Sequence, residues 1–338
     1  MLNLVTGATG LIGGHLVEAL ALRGEQVRAF VRPTSRTERL RALGVETRIG
    51  QLVDNASLMA ATQGVDRVFH CAALVSDWGL AEDFSQANVG GTRNVLAAAA
   101  RAQVSRFIFH SSTDVYGFPG APVAETERPS PRGFPFGDSK IEAEALVWNH
   151  RRRVGLPICI IRSGTVYGPG SRFILESLVE PMRRRRLTLI DGGRHTAGLT
   201  YVGNLVDAMI LAADREASIG QAYNITDGSR VTWREFIDAL ADTLQMPRPT
   251  RSRSHRTAYA MASAWEYYYR TMGRAQRPPM TRALVELMGT DQDYCIDKAV
   301  AQLGYRPRVP FTEGMRHVAD WLLRDGHLEG STSVRVLD

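Results

Sequence analysis

The chain has 338 residues, 44% of them hydrophobic and 22% charged, which suits a globular protein with a large buried core and excludes a disordered or fibrous one. Its net charge of +6 does not point to nucleic acid: the arginines are scattered or stand in short runs, Arg151 to Arg153 and Arg183 to Arg186, without interleaved aromatic residues, and read as solvated helix ends. Three cysteines, Cys71, Cys159 and Cys295, lack metal-ligand spacing and an even count, so the expectation is a reduced, cytoplasmic protein with no metal, no leader peptide and no apolar run long enough to span a bilayer.

The first predicted strand, residues 2–6, runs into Thr6-Gly7-Ala8-Thr9-Gly10-Leu11-Ile12-Gly13 and then into a helix over 12–22. Strand, glycine loop and helix in that order offer exposed amide donors and a positive helix end, the combination a dinucleotide's diphosphate needs. Gly7, Thr9, Gly10, Leu11, Ile12 and Gly13 are therefore the candidate phosphate cradle. A second strand, 26–31, is followed by Arg32-Pro33-Thr34-Ser35-Arg36. No carboxylate stands there to repel a 2′-phosphate, whereas Arg32 and Arg36 can pair with one, so the pattern favours NADP(H), with NAD(H) the alternative.

Further strands are expected over 45–49, 67–71, 106–111 and 158–162, with helices over 87–102 and 136–152 between them. This alternation is the mark of βαβ units, and the fold class is α/β, a Rossmann-type doubly wound parallel sheet with a smaller mixed C-terminal part. The dinucleotide-binding domain is placed at 1–165 with parts of 198–228, and the substrate-binding domain mostly at 166–330. Beyond Gly168-Pro169-Gly170 the rhythm loosens into a strand over 222–225 and a helix over 233–244. Residues 251–289 carry Tyr259, Trp265, Tyr267, Tyr268 and Tyr269 among basic residues. That segment reads as a lid over an apolar substrate, an oligomer contact or a membrane-surface helix, against the background that aromatic stripes on helices are usually packed core. The tail, 331–338, is expected to be flexible.

Several motifs then occur in order: the glycine loop, His70-Cys71-Ala72-Ala73, Asn88-Val89-Gly90-Gly91-Thr92-Arg93-Asn94-Val95, Ser111-Ser112-Thr113-Asp114-Val115-Tyr116-Gly117, Ser139-Lys140, and Gly164-Thr165-Val166-Tyr167-Gly168-Pro169-Gly170. Together they resemble the extended short-chain dehydrogenase/reductases of the epimerase/dehydratase superfamily, in particular the branch similar to 3β-hydroxysteroid dehydrogenases and β-keto acid reductases. The resemblance implies that Ala72 and Ala73 line the cofactor, that Val166 flanks the nicotinamide, and that Gln51 with Leu52 stands where the adenine amino group is met. It makes Ser112 the catalytic serine, with Thr113 as runner-up, and gives Lys140 to the nicotinamide ribose. A homodimer is plausible on the same basis.

The family's Tyr-x-x-x-Lys reads here Phe136-Gly137-Asp138-Ser139-Lys140. The ring is kept and the acidic proton is gone, which in an ordinary ketone reductase removes a general-acid contribution of about 10² to 10⁴ in rate. Three explanations stand: an introduced Tyr-to-Phe change, a natural enzyme that draws its proton from Ser112, Thr113, water or a quinone- or enone-like substrate, or a dinucleotide sensor without redox chemistry. Tyr116, Tyr167 and Tyr201 lack the spacing to replace the missing phenol and are read as packing residues. The segment Ala197-Gly198-Leu199-Thr200-Tyr201-Val202 lacks the Arg-Asp pair of nucleotide-sugar enzymes, which weakens an epimerase or dehydratase reading, although Arg194 and His195 lie close by. Val75 and Trp78, after the fourth strand, lie where open α/β sheets bind ligands and favour a hydrophobic, even polycyclic, small-molecule substrate.

Overall fold

The computed structural model describes residues 1–324. The predicted tail, 331–338, and the last part of the predicted substrate domain lie outside the described residues. The chain begins with β1 (Leu2–Thr6), α1 (Leu11–Leu22), β2 (Gln26–Val31), α2 (Glu38–Ala42), β3 (Glu46–Ile49), α3 (Asn55–Thr62) and β4 (Arg67–His70). It continues with α4 (Ala81–Phe84), α5 (Gly91–Arg101), β5 (Arg106–Ser112), α6 (Pro135–Val154), β6 (Ile158–Ser163) and β7 (Thr165–Tyr167). There follow α7 (Glu180–Arg183), β8 (Leu189–Ile190), β9 (Leu199–Tyr201), α8 (Val202–Asp214), β10 (Gln221–Ile225) and α9 (Trp233–Thr243). Last come β11 (Ser252–Arg253), α10 (His255–Thr271), α11 (Arg282–Gly289), α12 (Asp297–Leu303) and α13 (Phe311–Arg324).

Strands such as β6, buried at every position from Ile158 to Ser163, are apolar at consecutive rather than alternate residues, as a strand covered on both faces requires. Seven of them form one parallel sheet in the order β10-β6-β5-β4-β1-β2-β3. The order reverses between β1 and β4, so a crevice opens beyond their carboxyl ends. On one face α1 and α8 bury Leu16, Leu20, Val206 and Met209; on the other α3, α5 and α6 bury Leu58, Val95, Leu96 and Val147. Each such side chain contributes about 1.5–3 kcal/mol by leaving water.

A third apolar cluster gathers Tyr167, Trp233, Phe236, Ala258 and Val318 from the chain beyond β6. Ile12 and Val166 pack against both this cluster and the one around α1. The crevice therefore has a sheet end on one side and the third cluster on the other.

One predicted helix differs in kind. The helix expected over 87–102 starts at Ala81 and passes through a π turn, Ser85–Gly90, before continuing as α5. The extra residue in that turn accompanies an inward-facing Asn88, whose amide oxygen accepts from Leu74 N at 2.7 Å and whose amide nitrogen donates to Leu74 O at 3.0 Å and Ser139 Oγ at 2.9 Å. Helix α6 is fixed from its other side by a buried ion pair, Arg162 Nη2 to Glu144 Oε2 at 2.6 Å, with Arg162 Nη1 also donating to Tyr116 Oη at 2.7 Å.

Candidate active site

The glycine loop is built by close approach. Gly7 has φ +71°, and a Cβ there would lie 2.8 Å from Ala72 N; a Cβ on Gly13 would lie 2.3 Å from the Gly7 carbonyl oxygen. Gly10 N donates to Gly7 O at 2.9 Å, closing the turn, and Gly10 then caps α1 with no side chain over the helix end. The first turn of α1 has no acidic residue, so its amides face the crevice without a competing carboxylate. Thr9 is exposed and Leu11 and Ile12 are half-buried at this edge. A cradle that only glycine can line, at a helix N-terminus, fits a dinucleotide diphosphate.

The opposite wall is the segment after β4. His70 is buried, with Nδ1 2.7 Å from Thr6 Oγ1 and Nε2 3.0 Å from Thr92 Oγ1, and Thr6 Oγ1 accepts from Ala72 N at 3.2 Å. Burial, with a smaller effect of Lys140, pushes His70 down to about 3, so it is a neutral brace that sets Ala72 and Ala73 against the glycine loop. Val166 reaches the same crevice from β7, and the Pro169 carbonyl oxygen, 3.0 Å from His15 Nε2, ties the Gly168-Pro169-Gly170 turn to α1. Arg32 and Arg36 follow β2, the strand beside β1; both are exposed and neither has an ion-pair partner among the described residues. Gln51 is exposed at the end of β3, whereas the Leu52 side chain packs against Gly91 and its carbonyl accepts from Asn94 Nδ2 at 2.7 Å.

Lys140 is buried on α6, its Nζ 2.5 Å from His110 O and 4.4 Å from the Phe109 ring centroid. Desolvation lowers its pKa to about 8, with Glu144 pulling the other way, so the ammonium persists at neutral pH. Phe136, one helical turn earlier, is half-buried. Ser112 ends β5 and its Oγ accepts from Asp114 N at 3.1 Å. Burial raises the Asp114 carboxyl to about 6, with the neighbouring Ser112 hydroxyl pulling the other way. Asp114 lies directly under α6: a Cβ on Gly137 would come within 3.1 Å of Asp114 O and 3.4 Å of Asp114 Cβ.

Asp114 is the residue that sequence reasoning missed. It stands inside the Ser111 to Gly117 motif, and the glycine following Phe136 is the available signal, since it is what lets helix and turn close on each other. Thr113 is buried. The tyrosines considered as substitutes for the missing phenol are engaged elsewhere: Tyr116 Oη donates to Asn224 Oδ1 at 2.8 Å, Tyr201 Oη lies 2.8 Å from His317 Nδ1, and Tyr167 packs edge-on against Tyr201 and Phe236.

At the mouth, Trp78 is half-buried, edge-on to Tyr269 with centroids 6.3 Å apart, and the Arg270 guanidinium lies 5.5 Å from its ring. Asp77 takes Arg277 Nε at 2.6 Å and Thr281 Oγ1 at 2.6 Å. The segment 251–289 thus clasps the loop that carries Val75 and Trp78, and a small pocket opens between them, lined by Trp78, Gly133, Phe134, Pro135 and Arg270. Val75 itself is exposed. Packed-core behaviour, the usual fate of an aromatic helix, does not hold for α10: Trp265, Tyr267 and Tyr268 are exposed, because the face turned inward carries Ala258 and Ala262. Arg194 and His195 are both tied to Asp191, at 3.6 Å and 3.4 Å. Among the described residues no cluster of His, Cys, Asp and Glu could hold a metal ion.

A doubly wound sheet, a glycine cradle at its switch point, a serine at the end of β5 and a buried lysine bonded to the same strand define a nicotinamide-dependent site of the short-chain dehydrogenase/reductase type. The chain belongs to the NAD dependent epimerase/dehydratase family, whose model matches residues 3–226. It is 32% identical over 321 residues, 93% of this chain and 95% of the relative, to the 4-hydroxy-2-methyl-3-oxo-4-farnesyl-3,4-dihydroquinoline-1-oxide ketoreductase of Stigmatella aurantiaca. It is 30% identical to a 3 beta-hydroxysteroid dehydrogenase/Delta 5-->4-isomerase of Mycobacterium tuberculosis (strain CDC 1551 / Oshkosh), covering 90% of this chain and 85% of that protein. A solved structure titled "Crystal structure of gox2253" matches 97% of this chain and 99% of its own with TM-score 0.81 at 28% identity.

Proposed function

We propose that the protein is an NADP(H)-preferring oxidoreductase that interconverts a carbonyl and a secondary alcohol on a hydrophobic substrate, with a ketone, enone or quinone as the oxidised partner. A bound nicotinamide supplies or accepts the hydride. Ser112 donates a hydrogen bond to the substrate oxygen, Lys140 holds the nicotinamide ribose, and Phe136 closes the wall where a phenol would otherwise stand. During reduction the proton passes from Ser112 Oγ to the nascent alkoxide, and the Asp114 carboxyl replaces it on Ser112. The observation that carries this reading is the Ser112–Asp114 pair set under the helix that presents Phe136 and Lys140. Relatives that act on a farnesylated quinoline and on a hydroxysteroid support the substrate class.

The test is reduction of a ketone, enone and quinone panel across pH, comparing the protein with Asp114→Asn. Only the protonated carboxyl donates, and its pKa is raised to about 6, so reduction should be fullest below that value and fall as pH rises through it. Asp114→Asn should lower kcat by about 10² or more and abolish that limb, in line with the general-acid contribution. An unchanged rate and profile in Asp114→Asn would overturn the proton route.

Cofactor choice has its own test. With no acid after β2 and two unpaired arginines there, Arg32→Ala or Arg36→Ala should each weaken NADPH binding about tenfold or more while leaving NADH nearly unaffected, the worth of one charge-assisted hydrogen bond. Equal losses for both nucleotides, read by titration calorimetry, would remove the arginines from the 2′-phosphate.

A further inference from the structure

Helix α10 is turned inside out relative to an ordinary amphipathic surface helix. The residues it buries are Ala258, Ala262 and Glu266, while Trp265, Tyr267, Tyr268 and, just beyond its end, Met272 are 38%, 73%, 41% and 59% exposed. Large aromatic side chains are costly to leave in water, and several together on one element mark a surface that meets another apolar phase. The rings are ordered among themselves: Trp265 meets Tyr268 and Tyr269 edge-on, at 6.4 and 6.0 Å, and the Arg274 guanidinium lies 5.3 and 5.5 Å from the Tyr268 and Tyr269 rings.

Charge on the same stretch has one sign. Residues 251–282 hold seven arginines and a single carboxylate, Glu266, which is buried and bonded to Arg282 Nε at 2.8 Å. Arg277 is taken by Asp77. Arg251, Arg253, Arg256, Arg270 and Arg274 remain, all exposed and none with a carboxylate partner among the described residues. They lie toward the two ends of α10, with Ala260, Ala264 and Tyr267 exposed between them. The loop clasped by Asp77 and Trp78 adds Leu74, Val75 and Leu80, which are 37%, 70% and 69% exposed.

We propose that α10 and the loop around Trp78 form a peripheral docking face for an anionic phospholipid surface. Exposed Trp and Tyr suit the headgroup level, and unpaired arginines complement anionic lipid, each worth about 1 kcal/mol near such a surface. No described helix is long and apolar enough to cross a membrane, so the contact is superficial. A second copy of the chain is a poorer occupant, because it would set these arginines against their own kind. Polynucleotide would satisfy the arginines and leave Leu74, Val75 and Leu80 in water.

The experiment is co-sedimentation of the full chain with vesicles of phosphatidylcholine alone or of phosphatidylcholine mixed with phosphatidylserine. Binding is expected only to the mixed vesicles and should weaken with added salt. Replacing two exposed arginines, Arg256→Gln with Arg274→Gln, should lower the partition coefficient about 30-fold, and Tyr267→Ser with Tyr268→Ser should lower it comparably. Near-ultraviolet circular dichroism checks that the variants keep the wild-type fold; if either does not, the lipid-charge and salt dependence of the wild-type chain decides alone. Equal binding to both vesicle types, binding to neither, or an arrangement in which the same substitutions dissolve a dimer while vesicles are ignored would overturn the proposal.

Discussion

Phe136→Tyr should raise turnover on simple ketones by about 10² to 10⁴, the range a positioned general acid supplies. Phe136 and Lys140 are four residues apart on α6, so a phenol placed there faces the same side as the lysine. That lysine is an ammonium held by His110 O and displayed over Phe109, and a neighbouring cation lowers a phenol's pKa toward the working range. Phe136 is only half-buried, so the added hydroxyl need not be desolvated in the core. Steady-state kinetics with NADPH and NADH on ketones, enones and quinones would read the gain. It should be greatest for ketones, whose alkoxide needs a proton most, and smallest for quinones, whose hydride adduct is already a stabilised anion. The pH limb assigned to Asp114 should fade in the same variant, since the phenol takes over the donation. A variant that binds cofactor normally yet gains nothing on ketones would show that Phe136 does not occupy the acid's place.

Gly13→Ala should cost roughly 5- to 150-fold in dinucleotide affinity, corresponding to about 1–3 kcal/mol of backbone strain. The new methyl would meet Gly7 O at 2.3 Å and Gly7 C at 2.7 Å, both backbone atoms, so no rotamer change relieves it. Relief requires the turn to open, which withdraws the amides at the head of α1 from the diphosphate. Gly7→Ala should act in the same direction through the other wall, 2.8 Å from Ala72 N, with the left-handed φ as an added cost. Titration calorimetry gives the affinity, and a thermal melt without ligand separates loss of the cradle from loss of the fold. Wild-type affinity in Gly13→Ala would refute the cradle.

The sheet was legible because parallel strands covered on both faces are written as short, largely apolar runs, here broken only by single polar residues such as Asn3 and Arg28: β1 and β2 coincide with the predicted 2–6 and 26–31, and β5 and β6 end one residue later than expected. Spacing also placed Phe136 and Lys140, since that relation lies within one helix. What stayed hidden depends on contacts between distant segments. The π turn before α5 serves Asn88, whose partners Leu74 and Ser139 lie on other elements. Asp114 gained a role because Gly137 brings α6 down on it, a relation between two loci more than twenty residues apart. The exposure of Trp265 and Tyr267 was masked for a related reason: periodicity shows that a helix has two faces, and only packing shows that the alanines won the inner one.

His70 has a consequence for how the protein meets a changing medium. Locked between two threonine hydroxyls and kept uncharged down to about 3, it leaves the cofactor wall indifferent to acidity. In the proposed site the groups that titrate nearer neutrality are Asp114, near 6, and Lys140, near 8, a carboxyl filled in mild acid and a cation drained in mild alkali. On the proposed proton route, a filled donor in mild acid quickens the exchange and a drained cation in mild alkali loosens the ribose contact, while the balance between ketone and alcohol stays that of the substrates and cofactor.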